Sequence, residues 1–389
     1  MRRHELERQI IHTRMAEAYE AYCRGHEPGA VKLYGQAVEM AERLGDRALE
    51  QLARRWHGNS LMWSGQHEAA FRVLSLAAAY DEPDAEPASA YGAKTDRLLL
   101  SLSHASAAFC RELLRDARGY LDRVAKPQWA HRLDMLEGIL CFRQGNPARA
   151  LVWGQRALRS ADQAVGDGPA YTRPTYLKWI IRPGFFARQP ELLAFWVAEM
   201  ATQPVLMVSD RIRQHCAQLL LLRTRRADGA EVAAALREEA LNCAAVASGI
   251  NGVWDEIHEL GRALMLAGEW AALDRLPLEK MRALPFENAL FAADREVNRL
   301  RQQLGLPPWD GDLDWPRATP PKPGLPAGLS LEPEKIRTVL HELDKAAARE
   351  DERMETQACS QAARRRVEHL KTLLPRMNFS PVPNRPGTT

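Results

Sequence analysis

Long apolar runs, paired cysteines and a dominant charge are all missing from this sequence, and each absence removes a class of protein. No stretch approaches the roughly 18 consecutive apolar residues of a bilayer-spanning helix, so no membrane partner is expected. The opening residues, Met1 to Glu20, are basic but carry no apolar signal core, which points to a cytoplasmic protein. The six cysteines are scattered and form no C-x-x-C pair. Most sit in apolar helical stretches, as reduced buried thiols do. With 53 Lys+Arg against 50 Asp+Glu the net charge is only +3, far from the basic footprint of a protein that coats nucleic acid.

Catalytic signatures are missing as well. The chain has no phosphate-binding GxxxxGK[ST] loop, no GxGxxG turn and no GxSxG nucleophile elbow. The triplet His-Glu-Leu occurs at His4, His258 and His341, and a zinc-hydrolase helix would need a second histidine four residues on. Those positions hold Arg8, Arg262 and Lys345, and a cation there repels a metal. No catalytic residue, metal site or cofactor is therefore expected. A cofactor-free enzyme built on Cys110, Cys141 or Cys216 remains a third reading, behind two binding functions.

What the sequence does have is helix-forming composition. β-branched residues are sparse, Ala, Leu, Arg and Glu are abundant, and apolar residues recur at spacings of three and four. The fold expected is all-α. Within it a unit repeats: Gly25, Gly65 and Gly145 stand at turns spaced by 40 residues or twice that. Small residues accompany them at matching places, Gly58, Gly138 and Gly261 before the turn and Ala30, Ala70 and Ala150 after it. Ala117 and Leu121 supply a degenerate copy, and Gly268 and Leu273 another. Only Gly or Ala lets two helices approach so closely, and a turn glycine supplies a left-handed backbone.

This pattern resembles the tetratricopeptide repeat, with a period longer than that family's about 34 residues. It is similar to the helical sensor arrays of bacterial regulators. The resemblance implies a right-handed superhelix of antiparallel helix pairs over residues 1–305, an α-solenoid with a concave groove lined by the first helix of each pair. It also implies that groove-facing side chains bind another protein or a peptide. On the matching positions these are Tyr19, Tyr22, Arg55, Asn59, Trp63, Arg132, Phe142 and Arg143. Arg55 and Asn59 match a clamp for a peptide carboxylate, which a guanidinium holds by paired hydrogen bonds. Ser103 and Leu136 depart from that clamp.

Three features fall outside the repeat. Residues 171–190 carry Pro174, Pro183 and Pro190 and are expected to be irregular, with Arg173, Trp179 and Arg182 as secondary contact candidates. Residues 306–333 are rich in Pro and Gly and read as a linker or strap whose Trp309 and Trp315 dock back onto the array. Residues 334–375 read as a charged C-terminal helix, a cap, a gate or an arm for self-association, and 376–389 as a disordered tail. Arg54 and Arg55, Arg223, Arg225 and Arg226, and Arg364 to Arg366 support an alternative function, a transcription-linked regulator touching nucleic acid. Acidic residues are interleaved with them, so nucleic acid ranks behind a protein partner.

Overall fold

The computed structural model describes residues 2–24, 26–80, 87–124, 126–163, 173–205, 208–225, 229–236, 238, 240–242, 254–276, 285–312 and 357–373. Among them the regular structure is entirely helical. The helices are α1 (Arg2–Cys23), α2 (Glu27–Leu44), α3 (Arg47–Trp63), α4 (His67–Ala79), α5 (Pro87–His104), α6 (Ala107–Arg123), α7 (Ala130–Arg143) and α8 (Pro147–Gln163). They continue as α9 (Arg173–Phe186), α10 (Pro190–Ala201), α11 (Val208–Arg225), α12 (Gly229–Ala235), α13 (Trp254–Ala267), α14 (Trp270–Leu273), α15 (Pro285–Gln303) and α16 (Gln357–Leu373). A short 3₁₀ turn, Pro127–Trp129, leads into α7.

The turns explain why the helices end where they do. Gly45, Gly65, Gly145, Gly268 and Gly305 all have φ between 64 and 78°. Each donates its N–H three residues back, and the following residue donates five residues back. At Gly65 these bonds are 3.2 Å to the Met62 carbonyl and, from Gln66, 3.0 Å to Leu61; at Gly145 they are 2.9 Å to Phe142 and, from Asn146, 3.0 Å to Cys141. Such a pair satisfies carbonyls that the helix end leaves open. The next helix starts on a local cap: Asp46 accepts from Leu49 N at 3.0 Å, and Asn146 from Arg149 N at 3.0 Å. Gly25 lies outside the described residues.

Helices α1 to α13 each pack against their successor in chain order, α16 packs on α15, and every odd-numbered helix from α1 to α13 also reaches the next odd-numbered one. This arrangement is compatible with a helical repeat stack. Small residues set the approach of α4 on α3 and of α8 on α7. A Cβ on Gly58 would stand 2.7 Å from the Leu74 side chain, and one on Gly138 would stand 3.3 Å from the Ala150 carbonyl oxygen. Ala30, Ala70 and Ala150 are fully buried on the second helices. The even helices bury one stripe, as Ala150, Leu151, Gly154, Ala157 and Leu158 do on α8. Helix α7 is buried nearly all round, because α5, α6, α8 and α9 surround it.

The expected irregularity at 171–190 gives way to a helix, α9, followed by a turn. Pro174 sits in its first turn, where an N–H would be unpaired in any case. Pro183 lies inside the last turn and removes the donor for the Trp179 carbonyl. That carbonyl points at Gly154 of α8, where a Cβ would be 2.6 Å from its oxygen. The close approach of α8 is therefore made against backbone. Pro190 opens α10. At the far end, residues 306–312 run without regular structure back along the array. Helix α16 packs on α15, and its Ala363, Val367 and Leu370 are buried. Trp315, the remainder of the Pro-rich segment, residues 334–356 and the tail lie outside the described residues.

Candidate binding surface

The odd-numbered helices carry the polar and aromatic side chains that sequence reasoning selected. On α1, Tyr19 is 49% exposed and stacks on Tyr22, with ring centroids 6.3 Å apart, and meets Trp56 of α3 edge-on. Trp56 in turn stacks on Tyr34 of α2 and carries the Arg55 guanidinium 5.1 Å from its ring. Asn59 accepts a 2.7 Å hydrogen bond from the Trp63 indole, one turn on. Tyr19, Tyr22, Trp56 and Trp63 form a partly exposed aromatic surface, with Tyr34 buried behind Trp56.

Arg55 and Arg132 do come together, but around a carboxylate of the chain itself. Asp96 of α5, 1% exposed in its side chain, accepts from Arg55 Nε at 3.2 Å and also from an Arg132 Nη. Both guanidinium groups are buried. The clamp expected for a peptide carboxylate is filled internally, and Asn59 is not part of it. Helices α3, α5 and α7 are joined by this one charge.

Further along, the candidates form a ladder. Phe142 of α7 meets Phe186 of α9 at 5.4 Å, and Arg182 lies 5.4 Å over the Phe142 ring. Arg143, next to Phe142, is half-buried. Arg182 also lines a cavity of ≈ 30 Å³ with Lys178, Arg213, Cys216, Glu256 and Glu259, room for little more than water. Across that cavity Lys178 Nζ lies 2.9 Å from Glu256 Oε1. Two secondary candidates turn elsewhere. Arg173 ties α8 to α10 through Asp162 and Glu199 (2.9 Å to the latter), and the Trp179 backbone packs on Gly154.

The densest charge cluster lies at the far end, and sequence reading reached only its arginines. Arg223 pairs with Glu259, with both oxygens of Asp310 at 2.8 and 2.9 Å, and with Asp312 at 3.3 Å. Arg262 lies 3.1 Å from Glu259, 3.5 Å from Asp294 and 3.6 Å from Asp312. Arg366 of α16 is 0% exposed and donates to Asp294 at 2.7 and 2.8 Å and to Asp312 at 3.0 Å. Burial alone would push the Asp312 carboxyl up, but Arg262, then Arg366 and Arg223, outweigh it and hold it far below the usual carboxylate range. Burial, and then the Asp312 charge, push Asp294 the other way against the pull of Arg366 and Arg262.

Two other chemistries meet unfavourable surroundings. The Glu259 carboxylate of the His258-Glu259 pair is taken up by Arg223 and Arg262, and among the described residues no three His, Cys, Asp or Glu groups gather as metal ligands. Burial pushes the Cys110 thiol up to about 11, and raises Cys141 and, strongly, Cys216 as well. That direction suppresses the thiolate a nucleophile needs. Of the basic clusters, Arg55, Arg223 and Arg366 are each buried against carboxylates.

No protein-family model, curated protein or solved structure matches this chain. Among the described residues no helix is long and apolar enough to cross a membrane. The architecture is that of consecutive helices packed in series, compatible with a helical repeat solenoid.

Proposed function

We propose that the chain is a non-enzymatic scaffold of the tetratricopeptide type, an adaptor, assembly factor or regulatory sensor that binds another protein or a peptide. In this reading antiparallel helix pairs wind into a right-handed superhelix, with the odd-numbered helices on its concave side. The support for that side is that odd helices reach one another along the stack, as an inner row must. The observation that carries the reading is the row of partly exposed side chains on those helices: Tyr19, Tyr22, Asn59, Trp63, Phe142 and Arg143. Aromatic and arginine side chains supply large contact area with few rotamers to freeze, which is why they dominate binding hot spots. Arg55 and Arg132, joined to Asp96, support that surface from beneath.

The alternative, direct contact with nucleic acid, has less support, since the arginines at the heart of its clusters face carboxylates of the chain. The test is affinity capture with wild type beside Tyr19→Ser/Trp63→Ala/Arg143→Glu, followed by reconstitution with the purified partner. Loss of a partner that wild type binds directly upholds the scaffold reading. Equal binding by both proteins removes the surface, and capture of nucleic acid that vanishes at high salt favours the alternative.

A further inference from the structure

Residues 307–312 are held on the array in the way a bound peptide is held. Asn298 of α15 clamps the main chain of Trp309 from both sides: its Oδ1 accepts from Trp309 N at 2.7 Å and its Nδ2 donates to the Trp309 carbonyl at 3.0 Å. Arg301, one turn on, donates to the Pro307 carbonyl at 2.6 Å. These contacts read backbone and ignore sequence, as docking of an extended segment requires. Side chains then supply the anchors. The Trp309 indole stacks on His369 of α16, centroids 4.2 Å apart and planes within 8°. Asp310 receives the two-pronged Arg223, and Asp312 sits among Arg223, Arg262 and Arg366. Between them Gly311 leaves no room for a side chain: a Cβ would be 2.8 Å from the Trp309 ring and 3.2 Å from the Arg366 guanidinium.

Charge balance shows what such a site wants. Without the segment, the guanidinium groups of Arg223, Arg262 and Arg366 face only the carboxylates of Glu259 and Asp294. The emptied surface carries surplus positive charge, and the two aspartates of the segment answer it. We propose that this end of the array recognises an extended acidic peptide of the pattern aromatic-Asp-Gly-Asp, offered by a partner protein, and that residues 307–312 occupy the site as an internal ligand. The proposal rests on the scaffold reading and names the ligand chemistry of one of its surfaces. A tethered segment competes at an effective concentration on the order of millimolar. A partner must therefore present its motif at matching local concentration or weaken the tethered one.

The test uses the full chain and a fluorescein-labelled peptide with the sequence of residues 305–312, followed by anisotropy. Neutralising the internal ligand in Asp310→Asn/Asp312→Asn should raise affinity for that peptide at least about tenfold over wild type. A peptide carrying Asn at both Asp positions should not bind. A variant that keeps its helical circular dichroism yet binds neither peptide, or both alike, overturns the proposal. If the variant fails to fold, hydrogen exchange on wild type decides. Millimolar free peptide should speed exchange of the Trp309 amide while α11 and α13 stay protected, and unchanged exchange overturns the proposal. A null result here, with partner capture by the α1–α7 surface intact, removes this site alone and leaves the scaffold reading standing.

Discussion

Asp96 is the carboxylate whose loss the fold should feel most. It is buried between Arg55 and Arg132, so Asp96→Asn keeps the shape but removes the counter-charge that two buried guanidinium groups share. Removing one partner of a buried ion pair costs about 3–5 kcal/mol, a large part of the roughly 5–15 kcal/mol that holds a domain together. The socket cannot relax easily, since a Cβ on Gly92 would already lie 2.2 Å from the Arg55 guanidinium. Replacing the whole triad by Arg55→Met/Asp96→Leu/Arg132→Met removes the desolvation cost as well, and should leave stability unchanged or raise it. Urea denaturation followed by circular dichroism and tryptophan fluorescence measures both variants; two probes are needed because a stacked array can unfold in steps. An Asp96→Asn loss below about 1 kcal/mol, less than a single buried charged hydrogen bond, would refute the claim that this charge joins α3, α5 and α7.

Gly154→Ala should destabilise by about 1–3 kcal/mol, because the new methyl meets the Trp179 carbonyl, a backbone atom that cannot step aside; an unchanged urea midpoint would contradict the packing of α8 on α9. Arg188 follows α9 with φ 55°, in a left-handed turn of the kind that five other helix ends fill with glycine, so Arg188→Gly should stabilise by about 0.5–1 kcal/mol, read as a higher denaturation midpoint. Burial, reinforced by the Arg132 charge, pushes His131 down to about 4, and its Nδ1 lies 2.6 Å from the Tyr176 hydroxyl. The unfolded imidazole titrates near 6.5, so between those values the unfolded chain binds more protons. Stability should fall as pH drops through that window, by up to about 3 kcal/mol, and the loss is absent above it. His131→Gln should flatten that part of the curve, and parallel curves for variant and wild type would refute the assignment.

Backbone geometry was the legible part of this chain. The turn glycines at 65, 145 and 268 and the small residues at 58, 138, 30, 70 and 150 are tied to one conformation or one contact each, so their spacing reports the helix pairs directly. Trp309 was legible for a similar reason, since so large an apolar ring seeks cover. Partners of the buried arginines were not. Arg55, Arg223 and Arg366 look like surface charge because each stands in a basic run, and Asp96 stands in a polar stretch of its own helix. A signal exists in the spacing: Arg55 meets Asp96 41 residues on, Arg132 meets Asp96 36 residues back, and Arg223 meets Glu259 36 residues on. Charges of opposite sign 36 to 41 residues apart, on consecutive odd-numbered helices, are candidates for buried pairs. The Pro183 helix was missed because a proline near a helix end costs only one hydrogen bond, and Gly154 lets the neighbouring backbone close over the gap.

Hydrogen–deuterium exchange on the full chain, with and without a partner recovered by capture, tests the scaffold reading most directly. The account predicts slowed exchange along α1, α3, α5, α7 and α9, the helices that carry Tyr19, Trp63, Phe142, Arg143 and Arg182, with α2, α4, α6 and α8 unchanged. Protection confined to those even-numbered helices would contradict it.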